Sequence, residues 1–325
     1  MRNHLLASWA AFTLVAACSG PTKTDSLEPV DTHRKHRSFE FVYEAATEAV
    51  PAGAREVRLW LPLPTNTRDQ RIEDVRIEAS HPYVRNEVEN GFGESLCVTS
   101  AGEPIRVAVR FRATRYETKG GGAAAGAELR AALEPSSMIP LDGKVAAVAA
   151  GLPTASDPVA TGKVLYQHTL DRMKYDKPAD GGGWGRGDAE WACDAKYGNC
   201  TDFHSYFIGL ARAKGIPARF EMGFSVPAGG EATAKVAGYH CWAYFWSDAN
   251  GWVPVDISEA DKDSTKAEYY FGTLDENRVT MIGGRDVLLT PRPKKGALNF
   301  FVYPYAEADG VELKEIQRSF ARTNL

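Results

Sequence analysis

The chain has 325 residues, a formal net charge of -4 and a composition of 44% hydrophobic and 25% charged residues. These values are typical of a globular protein of one large domain or two smaller ones, with enough apolar residues to bury a sizeable core. The weakly acidic balance and the lack of a basic stripe argue against nucleic-acid binding. Neither a GxGxxG motif nor a P-loop is present to hold a nucleotide.

Residues 1–17 have the organisation of an export signal. Arg2 gives a positive start, and residues 5–17 are an apolar run that is too short for a comfortable membrane span. The run ends Val-Ala-Ala directly before Cys18, which resembles the lipobox of bacterial lipoproteins. That resemblance implies lipidation of Cys18, an anchor in the bilayer and a periplasm-facing protein. Because Ser19 is not Asp, it also favours the outer membrane. The alternative is an ordinary cleaved signal that happens to contain Cys18.

The region after the signal falls into a polar tether and a strand-rich part. Residues 18–37 show no periodic apolar pattern and predict a tether between the lipid and the folded body. Residues 38–119 show period-two alternation with Gly, Asn and Pro between the runs, which predicts an N-terminal domain resembling a β-sandwich. The alternating positions are Phe39, Phe41 and Tyr43; Val57, Leu59, Leu61 and Leu63; and Ile105, Val107, Val109 and Phe111.

A low-complexity stretch, residues 120–127, separates this part from a second domain predicted over residues 128–325. Helical patterns follow at about 128–134, 142–151 and 157–176, and a Gly-rich loop follows at 178–188. The expected fold class is therefore α+β.

Cys200 is expected in the first turn of an amphipathic helix. Asn199 or Thr201 is a suitable N-cap, and Lys214-Gly215 is a good helix stop. The apolar residues between them recur at helical spacing, at Phe203, Phe207, Leu210 and Ala211. A helix N-terminus favours anions and lowers the pKa of a thiol. Its free amides can also bind an oxyanion.

A base and an orienting carboxylate are expected on a hairpin further along the chain. His240 begins an aromatic, strand-like run, Asn250-Gly251 is a strong hairpin signal, and Asp256 ends the return strand. If Trp246 pairs with Trp252, His240 and Asp256 become diagonal neighbours on one face. A slip of one residue would separate them.

Three sequence blocks resemble the signatures of the transglutaminase-like superfamily, a papain-like group. They are GNCTDFHSYFIGLARAKGIPARF, GYHCWAYFW and GWVPVD, and the likeness extends over about residues 128–290. The resemblance implies a catalytic helix packed on an antiparallel sheet. It also implies that Cys200 is the nucleophile, His240 the acid and base, and Asp256 the orienting carboxylate, with no cofactor.

This resemblance implies an enzyme that acts on peptide or amide bonds by acyl transfer, through a thioester on the cysteine. Attack by water makes the enzyme a protease or amidase, and attack by an amine makes it a transglutaminase; the triad does not distinguish them. A cell-envelope location favours peptides, envelope proteins or peptidoglycan stem peptides as substrates. The alternative is a non-catalytic envelope binding or scaffold module with a vestigial triad.

Several residues near the blocks have competing interpretations. His204 lies one helical turn from Cys200 and competes with His240 as the base, but it lacks an obvious orienting carboxylate. Trp184 and Trp191 can supply an oxyanion donor, line the cleft or pack in the core. Tyr239 and Trp242, which flank the histidine, are further candidates for substrate binding or the oxyanion hole.

The remaining cysteines and acidic residues indicate structural roles. Cys193 and Cys241 are interpreted as buried core thiols, with a disulfide as the alternative, and Cys200 is expected to be free. The acidic run 256–263 lacks EF-hand spacing and is interpreted as a solvated loop. No metal site is predicted, since the cysteine and histidine spacing matches no zinc pattern.

Overall fold

The computed structural model describes residues 33–178 and 181–325. The expected export signal at residues 1–17, Cys18 and most of the tether lie outside the described residues. The described part forms six α-helices, one short 3-10 helix and nineteen strands. No helix in it has both the length and the apolar character that crossing a membrane requires.

The elements before the helical region are strands. They are β1 (His36–Thr47), β2 (Val57–Leu63), β3 (Gln70–Ala79), β4 (Tyr83–Glu87), β5 (Glu89–Phe92), β6 (Glu94–Ser100), β7 (Arg106–Tyr116) and β8 (Thr118–Lys119). The helical region then contains α1 (Gly126–Ala131), α2 (Lys144–Gly151), α3 (Pro158–Arg172), β9 (Lys174–Tyr175), α4 (Ala189–Ala195), β10 (Tyr197–Gly198) and α5 (Cys200–Ala213).

The rest of the chain is mostly strands. The elements are β11 (Ala218–Ser225), β12 (Thr233–Lys235), β13 (Tyr239–Ser247), β14 (Gly251–Val255), α6 (Ile257–Lys262), a 3-10 helix (Ser264–Lys266), β15 (Thr273–Leu274), β16 (Arg278–Leu288), β17 (Tyr305–Ala308), β18 (Val311–Glu312) and β19 (Ile316–Asn324). The predicted α+β class is confirmed.

The first five-stranded sheet has the order β12-β19-β1-β7-β3. In β1 the alternating residues Phe39, Phe41 and Tyr43 are buried, as a strand with one face on the core requires. Phe41 lies opposite Phe111 of β7, and their rings stack with centroids 5.4 Å apart. Tyr43 lies opposite Phe320 of β19 with a centroid distance of 4.8 Å. Aromatic cross-strand pairs therefore fix the register of this sheet.

The second five-stranded sheet has the order β18-β17-β2-β6-β4. Its central strand β2 carries the buried residues Leu59, Trp60 and Leu61. The Trp60 indole donates a hydrogen bond to the carbonyl oxygen of Pro291 at 3.1 Å, so its one polar group is satisfied inside the core.

The third five-stranded sheet, β14-β13-β11-β16-β5, is antiparallel throughout and supports the helix that begins at Cys200. Phe207 of α5 packs on Phe245 of β13 with ring centroids 6.0 Å apart. Phe224 of β11 contacts Phe320 of the first sheet, at 4.4 Å between centroids. The predicted helix on an antiparallel sheet is confirmed, and one continuous core joins the sheets.

All three large sheets contain strands from both sides of residues 120–127. Strand β5 joins the third sheet from the N-terminal side, while β17 and β19 join the two sheets built on β2 and β1. Backbone hydrogen bonds therefore cross the expected boundary between residues 38–119 and 128–325. Their division into two domains stays a prediction.

The three helices predicted before Cys200 are present with different ends, and a fourth, α4, was not predicted. The third begins at Pro158, where the Asp157 carboxylate accepts the amides of Val159 and Ala160. It ends at Arg172, earlier than predicted, because Lys174–Tyr175 pairs with Tyr197–Gly198 as a short parallel ribbon. This ribbon brings the end of α3 beside the start of α5.

Candidate active site

Helix α5 begins at Cys200 because Asn199 caps it. Asn199 Oδ1 accepts the amide proton of Thr201 at 2.8 Å, and the Asp202 carboxylate accepts the Asn199 amide at 3.0 Å. This reciprocal pair satisfies amides that have no acceptor within the helix. Cys200 is 2% exposed, and by its position its own amide also lacks an acceptor within the helix.

Asp202 fixes the helix start to the Gly-rich loop. Besides the Asn199 amide, its carboxylate accepts the amides of Gly185 at 2.7 Å and Gly187 at 2.8 Å. Burial raises the pKa of Asp202 to about 6 against the opposing effect of these donors. At Gly198 a Cβ would lie 2.4 Å from the Asp202 side chain, so this approach requires glycine. Asp202 therefore supports the helix N-terminus.

His240 and Asp256 meet across the predicted hairpin. The strands turn through residues 248–250, and Trp246 pairs with Trp252, so the predicted register is confirmed. Asp256 directly follows β14 and caps α6. His240 Nε2 lies 2.7 Å from Asp256 Oδ2, which leaves the other ring nitrogen, Nδ1, to face the thiol.

Cys200 lies close enough to His240 for that ring to lower the pKa of the thiol, so the structure brings the three predicted triad residues together. Burial alone raises the pKa of Cys200, but hydrogen bonds from Cys241 and His240 and the charge of His240 lower it well below its usual value. Burial likewise lowers the pKa of His240, yet Asp256 and Cys200 together raise it to about 10. The favoured state is thiolate and imidazolium.

Asp256 is held by more partners than sequence analysis identified. Its Oδ2 also accepts Arg278 Nη1 at 3.0 Å, and its Oδ1 accepts the Ser258 hydroxyl at 3.0 Å and the Glu259 amide at 3.2 Å. Although burial opposes it, the charges of His240 and Arg278 keep the pKa of Asp256 far below its usual range. Thiolate, imidazolium, carboxylate and guanidinium thus alternate in sign in a buried row.

His204 does not occupy the position of the base. Its Nε2 accepts the amide proton of Ile257 at 3.0 Å, and the ring also bonds the backbone at Cys200. Burial lowers the pKa of His204 to about 4, so the ring is neutral. It links the nucleophile helix to the residue after Asp256, which favours a positioning role for His204 and leaves His240 as the base.

The Tyr239 hydroxyl joins the two residues on either side of the nucleophile. It accepts Asn199 Nδ2 at 2.9 Å and lies 2.8 Å from Thr201 Oγ1. The Tyr239 amide donates to the Tyr303 hydroxyl at 3.2 Å. Tyr239 therefore holds the start of α5 against β13, and its hydroxyl is engaged in the structure rather than directed at substrate.

Trp242 lies in the core and not at the cleft. It is fully buried, and its indole N–H donates to Glu221 Oε2 at 3.1 Å. The Arg278 guanidinium lies 4.9 Å from its ring centroid. Because its only donor is occupied, Trp242 supports Arg278 and is not available as the proposed oxyanion donor.

The other two tryptophans have structural partners as well. The Trp184 indole donates to the Asp176 carbonyl oxygen at 2.8 Å, so this N–H is not available for an oxyanion in this arrangement. Trp191 packs edge-on against Tyr197 with ring centroids 5.4 Å apart. Both tryptophans are half-buried beside the Gly-rich loop, and Trp191 stays a candidate for the cleft wall or the oxyanion donor.

Tyr175 and Lys262 lie at the edge of the site, and sequence analysis missed both. The Tyr175 side chain is 37% exposed, and Lys262 Nζ lies 4.0 Å from its ring centroid. Burial and the nearby charge of Cys200 raise the pKa of Tyr175 to about 12. The sequence places Tyr175 within a helix, so no signal marked it as a surface of the cleft.

The acidic run 256–263 is not the loop that the sequence predicts. Asp256 is the N-cap of α6, and Lys262 Nζ bonds Glu259 Oε1 at 2.7 Å within the helix. Asp261 accepts the Tyr175 amide at 2.8 Å. In the part of the chain that the structure covers, no three His, Cys, Asp or Glu side chains form a cluster suited to a metal ion.

Comparisons with known proteins agree with this geometry. Residues 146–257, which contain all three triad positions, match the family model of the transglutaminase-like superfamily. An uncharacterized protein of Haemophilus influenzae is 28% identical over 307 residues, covering 80% of this chain and 83% of that protein. The crystal structure of a candidate cysteine protease from Cytophaga hutchinsonii has a TM-score of 0.59 at 12% identity and covers 90% of this chain and 92% of its own. That likeness concerns the fold.

Proposed function

Residues 146–257 form a region of the transglutaminase-like superfamily, and from this premise we propose that the protein is a thiol acyl hydrolase that cleaves peptide or amide bonds. The observation that carries the proposal is the buried contact of Cys200 with His240 and of His240 with Asp256 at 2.7 Å. A vestigial site has no need to hold a thiolate and an imidazolium together out of water, because burying charges is costly.

In the proposed reaction the Cys200 thiolate attacks the substrate carbonyl carbon. A C–S bond forms, and the carbonyl electron pair moves to oxygen, where the free amide of Cys200 at the helix start can stabilise it. The intermediate collapses as the proton on His240 Nδ1 moves to the departing amine, which leaves a thioester. Water then attacks with His240 as base and releases the acid. Asp256 stays ionised and keeps the imidazole oriented.

The thiolate can be tested by its alkylation with iodoacetamide. Between pH 6 and pH 8 we expect the labelling rate of Cys200 to change by less than about threefold, because its pKa is depressed. A thiol of ordinary pKa would lose about 80-fold over that range. In His240→Ala the remaining dominant influence is burial, which raises the thiol pKa, so the rate should become strongly pH-dependent. The measurement is the rate of label incorporation into the tryptic peptide 197–212.

His168→Ala is a matched control for this test. His168 is half-buried on α3 and bonds the Tyr206 hydroxyl at 3.0 Å, away from the triad. Its removal should leave the flat pH profile intact. Equally slow, pH-dependent labelling in the wild type and in His240→Ala would favour a non-catalytic scaffold instead.

We also propose that the protein is exported and anchored in the bacterial outer membrane, facing the periplasm, with envelope peptides or proteins as substrates. The support is the signal at residues 1–17 and the small residues before Cys18. We expect Cys18→Ala to abolish incorporation of labelled palmitate in cells while the protein is still exported. Palmitate retained by this variant would contradict the anchor.

A further inference from the structure

A second thiol lies against the nucleophile and has no part in the proposed reaction. Cys241 follows His240 on β13 and is fully buried. Its sulfur lies close enough to Cys200 for each thiol to shift the pKa of the other. It also lies 3.7 Å from Thr201 Oγ1 and 3.8 Å from His204 Nδ1. These three neighbours of Cys241 all belong to the start of α5.

Neither of the other two described cysteines is placed in this way. Cys193 lies on α4 with Arg172 Nη2 3.7 Å from its sulfur, and Cys97 lies in β6 of the second sheet, 4.0 Å from the Thr99 hydroxyl. All four cysteines of the described part are free thiols. The juxtaposition is thus particular to Cys200 and Cys241, which come from separate elements of the chain.

We propose that Cys200 and Cys241 form a site of reversible oxidation by hydroperoxides, in which Cys241 traps the oxidised nucleophile as a disulfide. This inference rests on the proposed function only in needing a thiolate at Cys200. Because the readout is the chemical state of the two thiols, the inference can be tested without knowing the substrate.

The two steps balance with a hydroperoxide as the only oxidant. The Cys200 thiolate attacks the terminal oxygen and the O–O bond breaks, which gives a sulfenic acid, while the departing alkoxide or hydroxide takes the proton of the His240 imidazolium. The Cys241 sulfur then attacks the Cys200 sulfur, an S–S bond forms, and the hydroxyl departs as water with the Cys241 proton. The two thiols lose two electrons and the peroxide gains them.

The order of the steps follows from the charges. Cys200 is present as the thiolate, and the thiolate is the form of cysteine that reacts with peroxide. Burial, and next the contact with the charged Cys200, raise the pKa of Cys241 well above its usual value. Once Cys200 is an uncharged sulfenic acid, that repulsion ends and Cys241 becomes easier to ionise. Oxidation of the first sulfur therefore activates the second.

The experiment treats the full-length protein with hydrogen peroxide, blocks free thiols and identifies tryptic peptides by mass spectrometry. Cleavage after Lys196, Arg212, Lys235 and Lys262 yields peptides 197–212 and 236–262, each with a single cysteine. We expect these peptides to appear linked, two hydrogens lighter than their sum. Dithiothreitol should separate them and restore the alkylation of Cys200 to its rate before peroxide.

Two variants of the second thiol make the test specific. In Cys241→Ala and Cys241→Ser, Cys200 should be trapped by dimedone as a sulfenic acid and then gain two or three oxygens, which dithiothreitol does not reverse. Cys193→Ala, which removes a buried cysteine outside the site, should behave as the wild type. Using both replacements guards against a variant that fails to fold.

The outcomes separate this inference from the proposed function. If Cys200 alkylates rapidly at pH 6 but peroxide gives no linked peptide, or if Cys241→Ala recovers as fully as the wild type, the oxidation site is refuted and the hydrolase proposal stands. If the linked peptide forms but no substrate ever yields a thioester, the hydrolase proposal fails and the oxidation site stands.

Discussion

Replacing Asp256 with alanine is expected to lower the free energy of unfolding by about 3 kcal/mol, because the variant takes one of two carboxylate partners from the buried Arg278, which keeps only Asp275 at 3.2 Å. The same change removes the cap that accepts the Glu259 amide at the start of α6. It also frees the His240 ring. Turnover should therefore fall by about 10⁴-fold, the loss typical of a triad without its carboxylate. Urea denaturation and single-turnover kinetics measure the two effects.

Asp256→Asn separates the two roles of this side chain. The amide keeps one oxygen for capping but has no charge for Arg278 and His240, and its N–H₂ group meets their donors. Turnover should fall nearly as far, with a smaller loss of stability than in the alanine variant. Asp263→Ala is the matched control, since Asp263 caps only the exposed 3-10 helix at Thr265. Equal stability of Asp256→Ala and Asp263→Ala would contradict the buried charge row.

Replacing Cys200 with alanine is expected to abolish thioester formation and to reduce turnover by about 10⁶-fold, because the proposed nucleophile is lost and the pKa of the neighbouring Cys241 thiol is raised well above its usual value. The fold should be kept. The variant loses a small, buried side chain and a charge that needs desolvation, so its free energy of unfolding should change by only about 1 kcal/mol. Mass spectrometry of the wild type mixed with a peptide library should show an acyl adduct on peptide 197–212, absent in the variant.

Cys200→Ser and Cys193→Ala complete this test. The serine hydroxyl is far less acidic than the thiol, so the first variant should be almost as inactive as the alanine one. The second should keep full activity, because Cys193 lies on α4 beside Arg172. Adding primary amines to the wild type then shows whether water or an amine resolves the adduct. An adduct that persists in Cys200→Ala would remove this cysteine from the mechanism.

The local parts of the site could be predicted from the sequence. The cap at Asn199, the stop at Lys214-Gly215 and the turn at Asn250-Gly251 are chosen by backbone chemistry within a few residues. The turn fixes the pairing of Trp246 with Trp252, and this register carries His240 next to Asp256. Short-range rules were sufficient here because the hairpin contains its own register signal.

The long-range parts could not be predicted. Arg278, which bonds Asp256, lies on β16, a strand outside the hairpin of β13 and β14. Tyr175 reaches the site because the short ribbon of β9 and β10 ends α3 early. The sequence indicates Trp242 as a candidate for substrate binding or the oxyanion hole, although its indole bonds Glu221 in the core. Alternation along a strand shows that two faces differ but not which neighbouring element covers each face. For the same reason, the sequence does not predict that β17 and β19 pair with N-terminal strands.

The pairing of β1 with β19 along nine residue pairs is also expected to affect the rate and order of folding. Contacts between positions so distant in sequence require a very large loop to close, which slows folding. Until β19 docks, one edge of β1 offers unpaired amides and carbonyls to any other extended chain. We therefore expect newly made molecules to be most prone to aggregate before β19 has paired with β1. A chaperone that shields open sheet edges would act at this stage.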